Sequence, residues 1–142
     1  MSDDRRPNAR LRSIGAVLAG LLAIFVSTTA IDVVLHAAHV FPPWGEANPD
    51  SVMLLATAYR VICSIGGCYL AARLAPDRPM RHALWLGAVG VVISLTAAIA
   101  TWNAGPAFAN HWYPLALVAV SMPCAWAGGK LQERQASRSA AA

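Results

Sequence analysis

The sequence predicts an all-α fold, a four-helix transmembrane bundle with N-terminus and C-terminus cytoplasmic, and three observations lead there. The chain is 57% hydrophobic and only 13% charged, about half the charged fraction of an ordinary soluble domain. Its charges gather in short clusters, leaving four long stretches nearly free of them, the hydropathy pattern of membrane-spanning helices. The positive charges also alternate. Arg5, Arg6, Arg10 and Arg12 precede the first stretch, Arg73, Arg78 and Arg81 separate the second from the third, and Lys130, Arg134 and Arg138 follow the fourth. The other two connections hold no Lys or Arg. Because Lys and Arg concentrate on the cytoplasmic side of spans, this alternation places both ends and the middle connection inside.

The elements follow in order. A disordered basic cytoplasmic tail is expected over 1–12 and a second disordered tail over 131–142, since both are polar and lack apolar periodicity. Between them, 13–130 forms the transmembrane domain, with spans at about 13–40, 52–74, 83–102 and 112–129. Each supplies the roughly 20 residues that cross about 30 Å of hydrocarbon at 1.5 Å per residue.

Span one contains "IGAVLAGLLAIFVSTTA", which behind a basic segment mimics a secretory signal, with Thr28 and Ala30 at small positions. Apolar character continues past Ala30 to Phe41, so the segment is expected to stay on. Pro42, Pro43, Gly45, Asn48 and Pro49 end the first hairpin, Pro76 and Pro79 break the second connection, and Asn103, Gly105 and Pro106 break the third. Trp44, Trp102 and Trp112 fall at the outer boundary and Trp85 and Trp126 toward the inner one, where amphipathic rings prefer to sit. Pro123 deletes a backbone bond within span four and is expected to kink it.

Span one carries a polar stripe. Thr28, Asp32, His36 and His39 recur every three or four residues and so share one helical face. Thr57, Arg60, Ser64 and Gly67 make a matching stripe on span two. Charges at membrane depth cost about 2.5 to 3.5 kcal/mol each on insertion scales, and they face the bundle interior and pair. Measured from the outer hairpin, Asp32 and Arg60 both lie about 13 to 15 Å deep at 1.5 Å per residue. Counted from the arginines at the other end, the two depths differ by roughly 10 Å. A short hairpin fixes the relative height of neighbouring helices, whereas terminal arginines snorkel and a span can tilt. The sequence therefore predicts a buried Asp32–Arg60 pair that locks helices one and two. In the alternative reading, Asp32 and the histidines form a proton or ion path.

His36, His39 and His111 converge toward the outer surface, but two histidines at i, i+3 without a nearby Cys or Glu are weaker than a metal signature, and headgroup or loop hydrogen bonds are expected instead. Cys63, Cys68 and Cys124 show no CxxC spacing and read as packing residues. Small residues at Gly15 and Ala19, Ala16 and Gly20, Gly66 and Gly67, Gly87 and Gly90, and Gly128 and Gly129 invite close helix approach, while Thr57, Ser94, Thr101 and Ser121 offer cross-helix hydrogen bonds. "GCYLAARL" and "CAWAGGKL" echo one another, which shared demands of an inner helix end explain as well as duplication of a hairpin does.

No nucleophile elbow, phosphate loop or paired-carboxylate arrangement occurs, so the sequence predicts a non-enzyme without cofactor or metal. The net charge of +4 reads as topology, because no basic helix interleaved with aromatics points to nucleic acid. The expected partners are the lipid bilayer and either further copies of the chain or another membrane protein.

The segments "DVVLHAAHVFPPWG", "ATAYR", "GGCYLAARLAP" with "RPMRHAL", "ATWNAGP", "HWYPLALV" and "PCAWAGGKL" resemble those of a group of small bacterial four-span membrane proteins with no assigned activity. The resemblance spans Ile31 to Leu131, implies an inner-membrane location and no activity, and carries over no catalytic or binding residue. Small multidrug-resistance transporters also have four short helices and an acid in the first, but here Asp32 lies late in its span beside two histidines, opposite Arg60. The function expected is a structural or accessory membrane subunit. The alternative is a small proton-coupled transporter or channel acting as an oligomer, and a haem- or metal-binding redox protein is the third class.

Overall fold

The structure is a computed structural model that describes residues 5–43, 45–105 and 110–141. Among them the chain forms four helices and no strand: α1 (Arg5–Ala37), α2 (Asp50–Leu74), α3 (Pro79–Thr101) and α4 (Trp112–Ala140). Even α3, the shortest at 23 residues, reaches about 35 Å at 1.5 Å per residue. All four are long and apolar enough to cross a membrane.

The helix ends are set by local chemistry. Pro49 caps α2 in an extended conformation, and α2 stops at Leu74 because Ala75, ahead of Pro76, is extended. Pro79 opens α3 at a position where its missing N–H costs no hydrogen bond, so the third span begins four residues before the expected Ala83. Span one ends early. Its helix stops at Ala37, and His39 takes a left-handed φ of 56° that turns the chain back, with the Val40 and Phe41 amides donating to the Leu35 carbonyl. His39 therefore leaves the helical face that its spacing implied, and span one falls short of residue 40.

The expected disordered tails are helical where described. Helix α1 already includes 5–12, with Pro7 in its first turn where no intrahelical N–H bond is lost. Helix α4 runs through 131–140 because "KLQERQASRS" is rich in helix formers and free of Gly and Pro. Lys130 also pairs with Glu133 at 2.9 Å, and Tyr69 donates to Gln135 Oε1 from α2.

The helices run up, down, up and down. Helix α2 packs on α1 and α4, α4 packs on α3, and the α1–α3 edge is the loosest; α1 and α4 do not meet among the described residues. One end of the bundle carries the start of α1, the end of α4 and the α2–α3 connection (the terminal end). The other carries the two hairpin connections (the hairpin end).

The core lies toward the terminal end and is made of small side chains: Cys68, Ala71, Ala72, Ala83, Leu86 and Ala125, with Val17, Leu21, Ile24 and Leu84 packed against them. Small residues let backbones approach. A Cβ on Gly128 would lie 2.6 Å from the Ile65 carbonyl oxygen, and one on Gly20 2.6 Å from the Gly67 oxygen. Gly15 and Gly66 face open space, so they take no part in this contact. The large apolar side chains point outward, among them Leu22, Phe25, Ile62, Ile99 and Trp126. A belt of that extent suits hydrocarbon rather than water.

The expected cross-helix hydroxyl bonds are replaced by local ones. Thr57 donates to the Met53 carbonyl, Thr101 to Ala97 and Ser121 to Leu117, at 2.7–2.9 Å. A hydroxyl satisfied one turn back in its own helix needs no partner across the interface.

Candidate functional site

Asp32 stands on α1 and Tyr59 and Arg60 on α2, brought level by the first hairpin. Arg60 Nη2 lies 2.7 Å from Asp32 Oδ2, and the Tyr59 hydroxyl donates to Asp32 Oδ1. Each carboxylate oxygen thus has its own donor from the neighbouring helix. The guanidinium carbon also lies 5.8 Å from the centre of the Tyr59 ring, within the range where a cation is attracted to a ring face. Residues i and i+1 on a helix point in different directions. Tyr59 and Arg60 nevertheless both reach Asp32, which clasps the acid from two sides.

The pair is not fully buried, as the sequence implied, but half-buried. The Arg60 side chain is 32% exposed and that of Asp32 24%. Both line a cavity of about 350 Å³ at the hairpin end, together with His36, Phe41, Met53 and Tyr113. His36 donates from Nδ1 to the Asp32 carbonyl oxygen at 2.9 Å and meets the Phe41 ring edge-on at 5.0 Å.

Arg60 also borders a second cavity of about 230 Å³ deeper in the bundle, lined by Thr28, Ser64, Ser94 and Ser121 among apolar neighbours. Its Nε atom is buried with no hydrogen-bond partner. The guanidinium therefore stands between two spaces, one reaching toward the hairpin loops and one deeper in the bundle, both lined mostly by apolar side chains.

The remaining stripe residues separate. Thr28 is buried and donates to the Ile24 carbonyl at 2.8 Å. His39 is exposed in the loop after α1. His111 stacks on Trp102 with ring centres 4.5 Å apart and donates to the Trp102 carbonyl at 2.8 Å. The three histidines thus have different neighbours, and among the described residues no group of three His, Cys, Asp or Glu side chains stands close enough to hold a metal. Trp44 lies outside the described residues.

Cys68 and Cys124 are buried, Cys63 is half-buried, and all three are free thiols.

Sequence reasoning missed three participants. Tyr59 and Tyr113 belong to the hairpin-end site, and Asp50 ties the two hairpins together. Asp50 Oδ1 accepts from Asn110 Nδ2 at 2.6 Å and from Trp112 Nε1 at 2.8 Å, joining the start of α2 to that of α4. The signal for Tyr59 was its place beside Arg60 in "ATAYR", where a phenol next to an intramembrane cation is a ready second donor.

Fold and site together are those of a multi-pass membrane protein with one clasped acid–base pair inside its helices. No protein-family model, curated protein or solved structure matches the chain.

Proposed function

We propose that this protein is a non-enzymatic integral membrane protein of the bacterial inner membrane, with both termini cytoplasmic, that serves as a structural or accessory subunit of a membrane assembly. One observation carries the reading: both oxygens of Asp32, an acid deep within its span, are held by donors from α2. A carboxylate held by a donor on each oxygen, one of them a cation, fixes the register of two helices and favours its charged form over a protonated one. The alternating positive charges support the orientation, and the wide apolar surface supports residence in the bilayer.

Affinity purification of the tagged chain from native membranes in mild detergent, with chemical crosslinking, tests the subunit role. A stoichiometric second membrane protein is expected. Isolation of the chain as a self-contained oligomer without that companion would contradict it.

A second reading, a small proton-coupled transporter or channel, is favoured by Arg60 standing between the two cavities. It requires pH-dependent flux in liposomes that Asp32→Asn abolishes without unfolding the protein. The subunit reading expects no flux above that of empty vesicles.

A further inference from the structure

We propose that the groove between α1 and α3 at the terminal end is a binding site for one anionic phospholipid, its headgroup held by Arg10, Arg78 and Arg81. The groove encloses about 660 Å³, within the roughly 300–1,000 Å³ of small-molecule sites. It exists because α1 and α3 make the loosest contact in the bundle, so the space between them is left to something other than protein.

Its chemistry divides along the helix axis. Arg10 comes from α1, Arg78 from the α2–α3 connection and Arg81 from the first turn of α3, and among the described residues the only acid lining the groove is Asp77. Among the described residues none of the three guanidiniums is ion-paired. His82 turns its Nδ1 to the Arg78 carbonyl at 3.3 Å. No side chain caps the first turn of α3, so the positive end of that helix adds to the same field.

Further into the span the wall becomes apolar, with Ile14, Leu18 and Trp85 exposed by 58%, 51% and 62%. Three unpaired cations at the ends of apolar helices, above an apolar trough open to the side, match a phosphate-bearing headgroup with an acyl chain below it. Basic pockets between spans recognise anionic lipids in this manner. A soluble phosphate would satisfy the cations but leave the trough empty, and a zwitterionic lipid would fill the trough but bring a positive charge against the arginines.

The test uses the purified full chain in detergent, titrated with phosphatidylglycerol or phosphatidylcholine carrying brominated acyl chains. Tryptophan quenching is read in the natural chain and in Trp85→Phe, the difference isolating Trp85. Phosphatidylglycerol should quench Trp85 at a concentration lower by on the order of a hundredfold, about fivefold for each cation near an anionic group. The triple variant Arg10→Gln, Arg78→Gln, Arg81→Gln should lose that preference and the triple Lys variant should keep it, with circular dichroism confirming helix in both. Should the triple Gln variant fail to fold, Arg81→Gln alone should lose about fivefold. Equal quenching by the two lipids, an undiminished preference in the Gln variants, or displacement of the lipid by inorganic phosphate at equal concentration would each overturn the proposal.

Discussion

The two ends of the bundle are held together by different means. Toward the terminal end, helices touch through alanine, glycine and cysteine, and the contact is close enough that a single added methyl at Gly20, Gly67 or Gly128 would meet a backbone oxygen within 3 Å. Toward the hairpin end the helices part around cavities, and polar ties replace packing: Asp32 with Tyr59 and Arg60, and Asp50 with Asn110 and Trp112. In a bilayer there is no hydrophobic gain from moving an apolar side chain between lipid and protein, so association rests on van der Waals fit and on polar bonds. This chain relies mainly on the first at the terminal end, where the Tyr69–Gln135 bond is added, and on the second at the hairpin end. The helix contacts through Gly20, Gly67 and Gly128 have no room to adapt, although a groove opens beside them between α1 and α3, whereas the ties at the hairpin end leave space beside their bonds.

The contrast is broken most severely at Gly128. Its Cβ would stand 2.6 Å from the Ile65 oxygen and 2.7 Å from the Tyr69 nitrogen, atoms that cannot move without moving α2. Gly128→Ala should cost about 3 kcal/mol, the upper part of the usual range for overpacking, read as thermal unfolding in detergent. A neutral result would mean that α2 and α4 are not in close contact.

At the tied end, Tyr59→Phe keeps the ring and removes one donor from the carboxylate. The expected loss is about 1 kcal/mol, below the roughly 1.5–3 kcal/mol of a hydrogen bond to a charge because the pair is open to the cavity. The same unfolding assay checks it, and a loss as large as that of Gly128→Ala would reverse the ranking of the two ends.

His39 sharpens the comparison from the loop. Its φ of 56° lies where only glycine is free of strain. His39→Gly should raise stability by about 1 kcal/mol, whereas a histidine that had to stay on the face of Asp32 would make the change destabilising. Smallest of all is Gly66→Ala, where an added Cβ meets nothing within 4 Å. It should be neutral or stabilising by up to ~1 kcal/mol through helix propensity, beside the large loss at Gly128.

What the sequence made legible divides along the same line. The spans could be read because runs of apolar residues and clustered arginines report on the bilayer directly. Asp32 and Arg60 stood out as a pair because opposite charges at matched distances from a hairpin have few other partners. Tyr113 is hidden, since a tyrosine near a membrane boundary ordinarily reads as part of the aromatic belt, and Tyr59 is hidden because a residue at i+1 is not expected to share the face of Arg60. Asp50 was hidden because an acid at a helix start already has a local reason to be there. The tails were misread because polar composition resembles disorder until helix formers continuing an existing helix are considered. The departure of His39 from its stripe depends on where α1 stops, and periodicity says nothing of that. The cavities follow from how side-chain volumes mesh between helices, which no linear pattern records.

The central claim is that Asp32 and Arg60 sit inside the bundle because each neutralises the other. A double-mutant cycle on stability in detergent, using Asp32→Asn, Arg60→Gln and the two combined, tests it most directly. Each single change should cost about 2 kcal/mol, less than the 3–5 kcal/mol of a fully buried pair because a quarter to a third of each side chain is exposed. The combined change should cost clearly less than the sum, with a coupling of at least ~1 kcal/mol. Strictly additive losses would show that the two charges stand in the membrane for separate reasons.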